Sequence, residues 1–81
     1  MQYRLTEIEN NVGFIISDFV LDRESQRRLN NMGIYKRDKY FRSAGNGNGP
    51  VIIQNISNNA TPIAIGRELA DGILVNLSDN I

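Results

Sequence analysis

The side chains that could do chemistry are easiest to read by what they lack. Carboxylates at Glu7, Glu9, Asp18, Asp22, Asp38, Asp71 and Asp79 are scattered, with none of the spacing of an oxygen-ligand calcium loop. The sequence has no histidine and no cysteine, so the nitrogen and sulfur donors that select a transition metal are missing. The same absence removes the usual general base and the thiolate nucleophile, and no serine stands in a nucleophile elbow or a lysine-containing motif. These residue types point away from catalysis. We expect no catalytic residue, no metal ligand and no cofactor.

What remains is chemistry suited to recognition. Arg27, Arg28, Lys36 and Arg37 form the densest basic stretch, which on one face could meet an acidic surface. Arg67 and Glu68 read first as a solvated pair and, more sharply, as a partner contact, because arginine binds carboxylate through two hydrogen bonds. Tyr35, Tyr40 and Phe41 could complete a core or anchor an interface. Strand alternation sends Tyr40 and Phe41 to opposite faces, which leaves one of them poorly covered. The candidate protein-binding set is therefore Arg27, Arg28, Tyr35, Lys36, Arg37, Phe41, Arg67 and Glu68.

The run Ala44 to Val51, "AGNGNGPV", raises the question of a phosphate cradle. It lacks the lysine of a P-loop and reads G-x-G-x-G, where a dinucleotide fingerprint needs G-x-G-x-x-G opening a helix. The β-branched residues after Pro50 favour a strand, so the loop turns the chain.

The elements that must position these residues belong to a small chain. Its 81 residues are expected to form a single domain with a modest core, which favours a surface function over a deep cleft. Nine basic and nine acidic residues give zero formal charge, so no overall field draws it to nucleic acid or anionic lipid. The longest apolar runs, Phe14-Ile15-Ile16 and Val51-Ile52-Ile53, are far too short to span a bilayer. The N-terminal "MQYRLTEIEN" has no secretory apolar segment, and a cytoplasmic location is expected.

Leu5 and Ile8 suggest a short turn tucking two apolar side chains inward, and "GFIISDFV" a strand from Gly13 to about Val20. A helix is expected from Arg23 to Met32, capped by Asp22, with Leu29 and Met32 on its inner face and Gly33 as its stop. "KYFRS", "VIIQNI" and "PIAI" read as a strand meander, the last two joined by "SNNAT". "GRELADG" gives one or two helical turns with Leu69 inward, and "ILVN" a final strand. The expectation is a mainly β, SH3-like barrel of about five strands, with a helix between strands 1 and 2 and a short helix before the last.

Three blocks carry a family likeness: "RRLNNMGI" (Arg27 to Ile34), "AGNGNGPVII" (Ala44 to Ile53) and "IAIGRELADGILV" (Ile63 to Val75). In order and spacing they resemble the signature blocks of FeoA-like proteins, the ferrous iron transport protein A family, over about Leu5 to Val75. The resemblance implies a small bacterial cytoplasmic SH3-like protein, with the whole chain from 1 to 81 as one such domain. Its implied partner is the cytoplasmic part of the ferrous iron permease FeoB, through which alone it would reach the membrane. Similar domains form the C-terminal part of some metal-dependent repressors, so an SH3-like regulatory domain that binds a peptide or a transcription regulator is the alternative. A nucleic-acid-binding small barrel is a further one, disfavoured by the zero net charge. Two departures stand out. Lys36-Arg37 occupies a turn where the family often has proline-glycine, and Arg42 stands where an aliphatic residue is expected.

Overall fold

The computed structural model describes residues 1–45, 47–56 and 61–78. Its strands are β1 (Tyr3–Arg4), β2 (Gly13–Phe19), β3 (Lys39–Ala44), β4 (Val51–Asn55), β5 (Ile63–Ile65) and β6 (Ile73–Leu77). Helix α1 (Arg23–Asn31) follows β2, α2 (Arg67–Asp71) precedes β6, and a 3-10 turn over Leu5–Glu7 follows β1. The six strands form one antiparallel sheet in the order β1-β6-β2-β3-β4-β5. This is the SH3-like arrangement expected, with the two-residue β1 added at one edge. The "SNNAT" connection lies mostly outside the described residues.

The sheet curves because two of its strands are bulged. Pairing of β2 with β6 skips Ser17, and pairing of β3 with β4 skips Ser43. Each skipped residue adds local bend and twist, and each is a serine whose hydroxyl donates to a carbonyl on the neighbouring strand: Ser17 to Leu74 at 3.1 Å, Ser43 to Ile52 at 3.3 Å. The bulge also resets the alternation of β2. Phe14 and Ile16 point inward, then Phe19 rather than Asp18, since the extra residue shifts the phase.

The core is made by Leu5, Phe14, Ile16, Leu29, Ile34, Tyr40, Val51, Ile53, Ile65, Ile73 and Val75, all fully buried. Leu5 and Ile8 are both inside, as their spacing suggested. Tyr40 stacks on Phe14 with ring centroids 6.0 Å apart. Its hydroxyl lies 3.1 Å from the Gly33 carbonyl and 3.3 Å from the Asp38 carboxylate.

Helix α1 begins and ends as the sequence predicts. The Asp22 carboxylate accepts from the Ser25 N–H at 2.8 Å, and the Ser25 side chain first, then this N–H, hold the carboxyl below its ordinary value. At the other end the Gly33 N–H donates to the Asn30 carbonyl and the Ile34 N–H to the Leu29 carbonyl, both at 3.0 Å. That pair of bonds is a Schellman motif, and Gly33 supplies its left-handed residue with φ +88°. The motif places Ile34, not Met32, against Leu29, which corrects the expected inner face. Met32 is the C-cap and is 39% exposed. Glu24 and Arg28, spaced for an ion pair, both point to solvent and do not reach pairing distance.

Gly72 sets how closely the turn from α2 into β6 approaches the Val20–Leu21 link that follows β2. A Cβ there would collide with the Leu21 side chain and sit 2.8 Å from the Val20 carbonyl oxygen. The missing side chain lets the Val20 N–H reach the Gly72 carbonyl at 2.7 Å.

Candidate functional site

The predicted binding residues fall into separate places. Tyr35, Lys36 and Arg37 line one open hollow of about 460 Å³, together with Phe19, Gln26 and Asn30. Arg28 and Glu68 line a second, between α1 and α2, of about 520 Å³, with Leu21, Ser25, Gly66 and Leu69. Arg27 is exposed on α1, and Phe41 is half-buried on the sheet face opposite Tyr40. Arg67 is held by the scaffold, its Nε donating to the Gly49 carbonyl at 3.1 Å.

The first hollow has the firmest frame. One wall is the α1 face carrying Gln26 and Asn30, four residues apart and so stacked on one side of the helix. The other is the turn Tyr35-Lys36-Arg37-Asp38, closed by the Asp38 N–H reaching the Tyr35 carbonyl at 3.4 Å. Arg37 has φ +74°, so the third residue of the turn is left-handed, the mark of a type II turn. Its N–H donates to the Ile16 carbonyl at 2.7 Å, which fixes the turn to β2. Tyr35 is 52% exposed at the rim. Lys36 pairs with Asp18 at 3.1 Å. The Asp18 carboxyl is held below its ordinary value, first by the Phe19 N–H at 2.8 Å and then by Lys36.

Arg42 is the polar residue most deeply set among those described, with 5% of its surface exposed. Its guanidinium faces no carboxylate among the described residues. One terminal nitrogen donates to the Ile8 carbonyl at 2.5 Å and more loosely to those of Leu5 and Thr6 at 3.3 and 3.4 Å, while the other donates to the Gly45 carbonyl at 2.8 Å. Its Nε has no partner among the described residues. Burial, and secondarily the charge of Arg67, press its pKa below the usual arginine value. Two arginines thus hold the glycine loop by its carbonyl oxygens, Arg42 at Gly45 and Arg67 at Gly49. Held at these two carbonyls, one near each end, the loop serves as a fastened turn.

No protein-family model matches the sequence, and no curated protein matches it. Solved structures do. The chain superposes on the crystal structure of an iron uptake regulatory protein, FeoA, with a TM-score of 0.85 at 22% identity, over 96% of this chain and 100% of that one. The fold is that of FeoA. An NMR structure of a FeoA-like protein from Clostridium acetobutylicum is similar too, with a TM-score of 0.79 at 17% identity, covering 94% of this chain and 86% of that one. A manganese-dependent transcriptional repressor in complex with manganese carries the same FeoA-like fold in one part. The TM-score there is 0.86 at 15% identity, over 95% of this chain and 37% of the repressor.

Within the FeoA-like fold, the first hollow brings Tyr35, Lys36 and Arg37 of the expected set together with Phe19, Gln26 and Asn30, which that set did not include. The four-residue spacing of Gln26 and Asn30 was the available signal. Phe19 gave none, because its inward placement depends on the bulge at Ser17. Among the described residues no three metal-ligating side chains cluster, and no helix is long and apolar enough to cross a membrane.

Proposed function

We propose that this chain is a non-enzymatic accessory protein of ferrous iron uptake that binds the cytoplasmic part of the permease FeoB and modulates transport. The observation that carries the reading is the end-to-end match with FeoA, which spans 96% of this chain and all of that one. A cytoplasmic location follows from such a partner. The surface agrees in kind: the hollow beside α1 is open, lined by charged and aromatic side chains, and suited to a protein contact. The test is a pull-down of the native chain with the soluble cytoplasmic domain of the permease. Retention at physiological salt supports the reading, and no retention at micromolar concentrations of both proteins overturns it.

The repressor match favours a second reading, an SH3-like regulatory domain that binds a peptide or a transcription regulator. Retention of a regulator and not of the permease domain would select it.

A further inference from the structure

We infer that the hollow between α1 and the Tyr35–Asp38 turn is the docking site for an acidic peptide segment of the partner, with Arg37 as the residue that determines specificity. The inference rests on the proposed role as a permease-binding accessory protein and adds the face and the chemistry of the contact.

The charge of the hollow is local. The chain has nine basic and nine acidic residues, yet Lys36 and Arg37 line this hollow, and Arg23 and Arg27 flank the α1 wall, three residues before Gln26 and Asn30 respectively. Asp18 and Lys36 pair at 3.1 Å and offset each other, and Asp38 meets only the neutral Tyr40 hydroxyl at 3.3 Å among the described residues, so the cations left for a partner are Arg37 with Arg23 and Arg27. Arg37 makes no ion pair among the described residues. An extended segment bearing several carboxylates could be met from both walls. Tyr35 at the rim, half exposed, offers aromatic surface to an apolar side chain of that segment, while buried Phe19 only closes the base.

The backbone supplies an independent argument. Arg37 occupies the left-handed position of a type II turn, where glycine fits without strain and a long side chain does not. The turn therefore gives no reason for an arginine. The hollow does, since the guanidinium side chain lines it and could grip a carboxylate through two parallel hydrogen bonds. Strain kept at a residue that lines an open site is a sign of function.

The test compares the native chain with Arg37→Gly, which suits the turn better and so keeps the fold. Two probes are titrated: the soluble permease domain, and a synthetic peptide of glutamates around one central phenylalanine. The acidic peptide should bind the native chain, weaken as salt is raised, and bind Arg37→Gly about tenfold less tightly, with a thermal midpoint equal to or above the native one. Equal affinity of the two proteins for both probes overturns the site. Equally tight binding of a glutamine-for-glutamate peptide overturns the acidic chemistry, as does tighter binding of a single-stranded oligonucleotide. If the native chain binds the permease domain and Arg37→Gly binds it equally well, the site fails and the accessory role stands. If the acidic peptide binds through Arg37 and the permease domain does not bind, the accessory role fails and the site stands.

Discussion

Replacing Arg42 by methionine sets two large effects against each other. Methionine keeps much of the length and apolar stem of arginine, and it removes a buried charge that, among the described residues, donates to backbone oxygens alone. Replacing a buried ionic group by a hydrophobic one is sometimes stabilising, so the sign must be argued. The short bonds to Ile8 and Gly45, at 2.5 and 2.8 Å, come from a charged donor and are worth about 1.5–3 kcal/mol each. The contacts at 3.3 and 3.4 Å to Leu5 and Thr6 add little. Against them stand desolvation of the guanidinium, its unpartnered Nε and repulsion from Arg67, whose removal returns about 1–3 kcal/mol. The bonds win. The net loss expected for Arg42→Met, taken at the middle of these ranges, is about 2–3 kcal/mol, a fall in melting temperature of roughly 10–20 °C for a domain of this size. Arg42→Lys should lie between, since an ammonium reaches the Ile8 cluster or the Gly45 carbonyl but lacks the fork that spans both. Urea denaturation followed by circular dichroism measures both variants. An Arg42→Met protein as stable as the native one, within about 0.5 kcal/mol, would refute the pinning role and show the charge to be a liability.

Three further outcomes follow from the same geometry. Burial, helped by the Asp38 charge, pushes the Tyr40 phenol up to about 12, so the folded state holds this proton more tightly than the unfolded one. The stability it contributes is complete below pH 10 and declines as pH rises toward 12, by about 2–3 kcal/mol. Tyrosinate absorbance should show a late component that disappears in Tyr40→Phe, and a titration complete by pH 10.5 would count against it. Gly33→Val should cost about 1 kcal/mol or more from backbone conformation alone, because a Cβ there meets nothing within 4 Å; an unchanged denaturation midpoint would remove the Schellman cap from the account. Gly72→Ala should cost about 1–3 kcal/mol, because the new methyl group overlaps Leu21 and crowds the Val20 carbonyl oxygen. A neutral result in the same denaturation assay would mean that Leu21 can move aside.

How much was legible depended on whether a signal was local. Asp22 and Gly33 marked the ends of α1 because capping is decided within a few residues of the chain. The succession of elements from β2 to β6 was readable from β-branched runs and their breaks, whereas the two-residue β1 was too short to leave a pattern. Met32 was misplaced because helical periodicity was carried one residue past the point where the chain leaves the helix. Phe19 was obscured by a bulge, whereas Arg42 keeps plain alternation with Tyr40 and was obscured only by its unseen acceptors. A bulge changes which residues face the core, yet the serines at 17 and 43 look like any other strand residue until the partner strand is known. Arg42 was marked as out of character in its strand. Nothing in the sequence said that its acceptors would be carbonyls some 35 residues earlier and three residues later.

The cations of this chain divide by what they touch, and the division separates stability from binding. Arg42 and Arg67 donate to carbonyl oxygens of their own backbone, Arg42 within the fold and half-buried Arg67 at its margin. Lys36 and Arg37 stand in an open hollow, and Arg27 is exposed nearby. Mobile ions screen exposed charges strongly and buried hydrogen-bonded ones weakly. Raising salt from 0.05 to 0.5 M should therefore leave the unfolding midpoint of the native chain nearly unchanged while it weakens capture of an acidic partner several-fold. If stability and binding fell together with salt, the two groups of cations would be acting through one network, and Arg42 would have to be counted among the groups that solvent ions reach.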